Sequence, residues 1–106
     1  NVILLLPPPE LPFEINQIIS VSSGDDIYGV TRDWWDRRSD YVNSKIYEIS
    51  DKVKIIDPIN DFCDIENCYA VKKSTALYWD DNHLSQEGAS IIAKKIINSL
   101  ESTLDK

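Results

Sequence analysis

Leu77-Tyr78-Trp79-Asp80-Asp81-Asn82-His83-Leu84-Ser85-Gln86-Glu87-Gly88-Ala89 is the stretch from which the rest of the chain is read, because it holds the only histidine in 106 residues. An imidazole takes and returns a proton near neutral pH, so His83 is the first candidate for acid-base work. Asp80 lies three residues earlier. In a tight turn that spacing brings a carboxylate back to one ring nitrogen, where it fixes the tautomer and stabilises the imidazolium as it forms. Ser85 is a good helix N-cap and Glu87 falls in the first turn, where the helix dipole favours an anion. Ala89, Ile92, Ala93, Ile96, Ile97 and Leu100 then recur at helical spacing, which predicts an amphipathic helix over 85–100. His83 therefore stands at the end of a loop, just before a helix. Taken alone, the same residues also read as a polar turn leading into a surface helix.

The run from Tyr78 to Ala89 resembles the Asp-x-x-His block of the SGNH (GDSL-like) hydrolase superfamily. It is closer still to the extracytoplasmic SGNH domain fused behind an acyltransferase-3 membrane domain in bacterial O-acetyltransferases of surface polysaccharides. That block reads Tyr-x-Asp-Asp-x-His-Leu-Ser-x-x-Gly-Ala, matched here by Tyr78, Asp80, Asp81, His83, Leu84, Ser85, Gly88 and Ala89. Leu6-Pro7-Pro8-Pro9-Glu10-Leu11-Pro12-Phe13 is similar to the group's Pro-x-Pro-Glu-Leu-Pro-Phe segment.

The resemblance implies an α/β fold: the C-terminal half of a three-layer α/β/α, flavodoxin-like sandwich with a parallel sheet, residues 1–106 forming one partial domain. It implies that His83 takes the proton of a serine while Asp80 orients the ring, and that an acyl group passes from that serine to a sugar hydroxyl or to water. The family's Gly-Asp-Ser block, second-block Gly and Gly-x-Asn do not occur in the chain. The serine and the oxyanion donors are expected upstream, and the 106 residues alone are expected to be inactive. Ser22 and Ser23 precede Gly24-Asp25, the wrong order for a nucleophile block. Implied partners are the upstream part of the same SGNH domain, an acyltransferase-3 membrane domain in the same polypeptide, a polysaccharide acceptor and an acyl donor. No cofactor and no metal are called for. The expected location is the extracytoplasmic side of the membrane, with the domain held there by its upstream membrane part.

Composition limits the alternatives. A chain of this length is at most one small domain, and a 42% hydrophobic share is enough for a packed core. Its net charge of −7 argues against a nucleic-acid partner, which would need a basic surface to displace phosphate counterions. The longest apolar run, Val2 to Leu6, is far below the roughly 20 residues that span a bilayer. Asn1 opens straight into that run with no leader pattern, so the chain reads as a piece that starts inside a fold.

Val2-Ile3-Leu4-Leu5-Leu6, stopped by Pro7-Pro8-Pro9, predicts a parallel strand buried on both faces. Ligands of open α/β sheets gather at such strand ends, although Pro9 and Glu10 also serve simply to turn the chain. Residues 14–32 read as an irregular excursion with one helical turn. Asp33 is placed as the cap of a helix carrying Trp34, Trp35, Tyr41, Val42, Ile46 and Ile49 on a buried stripe, with at least one tryptophan in the core. Val53-Lys54-Ile55-Ile56 reads as the next parallel strand, residues 59–62 as one helical turn, and Lys73-Ser74-Thr75 as the tip of a small hairpin.

Cys63 and Cys68 allow three readings. A zinc site lacks a fourth ligand, since His83 is the only imidazole, and a redox thiol pair is normally spaced more closely. A local disulfide remains, worth very roughly 2 kcal/mol for so short a loop, and it places the domain in an oxidising compartment. The resembled group carries a cysteine pair at this place. Asp81 also matches the block and is read as the cap of the turn, with Tyr78 and Trp79 packing the loop.

Three functional classes follow. The first is an O-acyltransferase module that modifies cell-surface polysaccharide, lipopolysaccharide or peptidoglycan. The others are a free-standing SGNH esterase using water and a non-catalytic carbohydrate-binding or interaction piece. The cysteine pair and the Pro-Glu-Leu-Pro-Phe segment favour the first over the second.

Overall fold

In the computed structural model, which describes residues 2–104, the strands form two small sheets. Strand β1 (Ile3–Leu5) runs parallel to β3 (Lys54–Ile56), with Leu4 opposite Ile55. Helix α2 (Arg32–Tyr47) lies between them in sequence, so the strand-helix-strand pattern is realised as a parallel pair. The second sheet is antiparallel. Its order is β2 (Ile27–Thr31), β4 (Asn67–Lys72), β5 (Thr75–Ala76). Short helices α1 (Ile15–Ser20) and α3 (Ile59–Phe62) and the long α4 (Gln86–Leu104) complete a mixed α/β fold compatible with part of an SGNH domain.

Strand β2 lies inside the stretch expected to be irregular. Ile27, Tyr28, Val30 and Thr31 are good strand formers, but Gly29 interrupts the alternation by which a strand is recognised. The structure gives that glycine a reason. A Cβ there would run into the Leu11 side chain and crowd Ala70, and the β2–β4 register shifts on either side of Tyr28.

The β4–β5 hairpin turns on Lys73 and Ser74, both left-handed at φ 50° and 65°. Two non-glycine residues in that region cost about 1–2 kcal/mol each. Hydrogen bonds from the segment before β2 offset this: Asp26 Oδ1 accepts from Lys73 N, Asp25 Oδ1 from the Ser74 hydroxyl, and the Asp25 carbonyl from Ser74 N, all at 2.7 Å. The Ser22-Ser23-Gly24-Asp25-Asp26 stretch therefore supplies the clamp for a turn.

The core joins Leu11, Ile15 and Ile18 to Phe62, Cys68, Ala70, Leu77, Tyr78 and Ile92. Cys63 and Cys68 form a disulfide whose two residues are buried in this cluster. Asp64 organises the loop it closes, accepting from Glu66 N and Asn67 N through Oδ1 and from the Tyr28 hydroxyl through Oδ2. That carboxylate in turn pushes the Tyr28 phenol up to about 12.

Three expectations need correction. Helix α2 is capped by Thr31, whose hydroxyl accepts from Trp34 N, because the helix begins two residues earlier than a cap at Asp33 would allow. Its stripe is buried only at Trp35, while Tyr41, Val42, Tyr47 and the following Ile49 are exposed. Strand β1 is only half-buried, with Leu5 exposed, since among the described residues β3 is its one strand neighbour.

Candidate functional site

The loop between β5 and α4 is closed by an antiparallel bridge between Tyr78 and Leu84 and by Trp79 N donating to the His83 carbonyl at 2.7 Å. Within it Asp80 makes an Asx turn, its Oδ1 accepting from His83 N at 2.7 Å and Asn82 N at 2.9 Å. The turn-capping role expected of Asp81 thus belongs to Asp80. Asp81 contributes its backbone carbonyl, which accepts from Leu11 N.

The second oxygen of Asp80 reaches the ring. Oδ2 lies 2.8 Å from His83 Nδ1. One carboxylate therefore shapes the loop with one oxygen and holds the imidazole with the other. Backbone donation from His83 and Asn82, together with the ring contact, lowers the Asp80 carboxyl to about 2. The group's stabilising interactions are present above the unfolded value of about 3.9 and are lost as pH falls through about 2, so the ring faces an anion throughout the neutral range. A carboxylate at Nδ1 favours the tautomer protonated there and leaves the Nε2 lone pair available. The His83 side chain is 76% exposed, so Nε2 is open to a reactant.

The loop is held from beneath by the proline-rich segment. Tyr78 is buried, its hydroxyl donates to the Pro9 carbonyl, and burial pushes its phenol up, so it remains a neutral donor. Ile15 N donates to the Asp80 carbonyl at 3.3 Å, alongside the Leu11 bond to Asp81. Pro9 and its neighbours thus brace the Asp80–His83 loop from behind, which explains why the two resembling segments belong together.

Ser85 fastens the loop to α4. Its hydroxyl donates to the Ala76 carbonyl and accepts from Gly88 N, which is the N-cap role read from the sequence. A Cβ at Gly88 would strike the Leu77 carbonyl oxygen, so the first turn of α4 approaches the incoming strand as only glycine permits.

A family model described as "SGNH domain (fused to AT3 domains)" matches residues 1–98. The chain belongs to the SGNH domain family. The match takes in the proline-rich segment, the cysteine pair and the whole Asp80–His83 loop of this SGNH chain. No curated protein and no solved structure gives a significant match. Among the described residues no helix is long and apolar enough to cross a membrane.

The structure brings Asp80 and His83 together, while Ser22 and Ser23 lie in the segment that leads to the Asp25–Asp26 clamp of the β4–β5 turn. Trp79 does not pack the loop: it is 78% exposed. The backbone anchors from Leu11 and Ile15 were beyond sequence reasoning, because main-chain donors carry no residue signature. The proline-rich resemblance was the available signal.

Proposed function

We propose that this SGNH domain supplies the Asp-His half of a Ser-His-Asp triad in a bacterial O-acyltransferase that acetylates cell-surface polysaccharide. The observation that carries this reading is the 2.8 Å contact between Asp80 Oδ2 and His83 Nδ1 beneath an exposed ring. His83 Nε2 takes the proton of a serine as its oxygen attacks an acyl carbonyl, and returns it to the leaving group. A sugar hydroxyl then gives its proton to the same nitrogen and takes the acyl group, and that proton passes to the departing serine oxygen, which restores the free serine. Asp80 stabilises the imidazolium in both half-reactions.

The serine belongs to the upstream part of the SGNH domain. In support, the His83 ring finds its hydrogen-bond partner in Asp80 among the described residues, and the hydroxyl nearest in sequence, that of Ser85, is engaged in capping α4. A two-stranded parallel sheet is not a stable unit by itself, and apolar residues are exposed at Val2, Leu5, Tyr41, Val42, Ile97 and Leu100, which supports a reading in which further protein lies beside it. The radius of gyration of 14.8 Å exceeds the value of about 13 Å for a compact domain of this length. The buried disulfide and the fusion named for the family support an extracytoplasmic place beside an acyltransferase-3 membrane domain.

The isolated 106-residue chain is therefore expected to hydrolyse p-nitrophenyl acetate no faster than buffer, while the full-length protein turns it over. Ester hydrolysis by the isolated chain that depends on His83 would overturn the placement of the serine.

A further inference from the structure

We infer that Trp79 is a stacking surface for a neutral pyranose ring of the acceptor, set beside the proton-accepting imidazole. This inference rests on the acyl-transfer reading above and adds the residue that holds the acceptor.

Its direction follows from register. Tyr78 pairs with Leu84 across an antiparallel bridge, and Trp79 N donates to the His83 carbonyl, so Trp79 and His83 flank that bridge at the mouth of the bend that Asp80 shapes. Successive residues leaving a bridge point to alternate sides of the ribbon. Tyr78 is buried and Leu84 packs on the core, so that pair points inward. Trp79 and His83 consequently share the outward side, with 78% of the tryptophan and 76% of the His83 side chain exposed.

A large exposed indole on the same loop as the proton-accepting imidazole offers a flat apolar face to a ligand. A pyranose offers such a face in its axial C–H bonds and keeps its hydroxyls at the rim, where one can reach Nε2. Asn82 and Asp81 stand on the same loop as partners for the remaining hydroxyls. The local charge chooses among sugars. Asp80, Asp81 and Glu87 crowd this loop and its helix entry, so an acceptor carrying phosphate or carboxylate at that ring is disfavoured.

The test uses the full-length protein, p-nitrophenyl acetate as acyl donor, and the cell's own surface polysaccharide, stripped of esters by alkali, as acceptor. Trp79→Ala should raise the acceptor KM about tenfold with little change in kcat, so that the ratio of transfer to hydrolysis falls by a similar factor, and Trp79→Phe should recover most of the loss. Acrylamide should quench the fluorescence that Trp79→Phe removes, and the polysaccharide should protect it. An unchanged KM, an equal loss of transfer and hydrolysis without rescue by phenylalanine, or an indole already shielded from acrylamide would each overturn the inference. Equal transfer by wild type and His83→Ala would instead overturn the acyl-transfer reading.

Discussion

His83→Ala in the full-length protein is expected to abolish ester groups on the surface polysaccharide and to lower acyl transfer by about 10,000-fold, equivalent to about 5.5 kcal/mol of transition-state stabilisation. The size of the effect comes from the lack of a substitute. His83 is the chain's only imidazole, and its neighbours on the loop are carboxylates and an amide, which cannot accept a serine proton near pH 7 with comparable driving force. The exposed ring contributes little to packing, so the variant should fold with the stability of the parent. Mass analysis of the polysaccharide gives the readout. Unchanged acylation would remove His83 from the mechanism.

The second large effect is expected at Asp80. Asp80→Asn should lower acyl transfer by about 1,000-fold or more while leaving the loop intact. The two oxygens of this side chain have separate duties, and the substitution separates them. The amide oxygen can still accept from the backbone N–H groups of Asn82 and His83, so the turn persists. The amide nitrogen then faces Nδ1 and stabilises the wrong tautomer, with no negative charge to balance the imidazolium. A loss in kcat at nearly constant KM, measured beside an unchanged melting temperature, is the expected pattern. A loss of stability equal to that of Asp80→Ala would assign the carboxylate a structural role only.

The sequence made the Asp80–His83 loop legible because its geometry is local. An aspartate three residues before a histidine, followed by a serine that caps a helix, is a turn whose contacts lie within a few residues. The parallel strands were legible for a similar reason: short apolar runs end at proline on each side of a helical pattern. What stayed hidden depends on distant partners. Strand β2 is defined by its pairing with β4, some 40 residues on, and Gly29 breaks its alternation to make room for Leu11. The stripe of α2 was read correctly as apolar, but burial is a property of what covers a face, and only Trp35 is covered within the chain. Trp79 was misread on the same ground. Its type suggests packing, whereas the register of the Tyr78–Leu84 bridge turns it outward.

In the proposed reaction the Asp80-braced imidazole activates a serine carried by another part of the polypeptide. Fluorophosphonate labelling of the full-length protein, with the modified residue mapped by mass spectrometry in wild type and in His83→Ala, tests it most directly. A single labelled serine is expected outside these 106 residues, in an upstream Gly-Asp-Ser context, with labelling lost in the histidine variant. A labelled serine within the 106 residues, or labelling that proceeds at the same rate without His83, would contradict it.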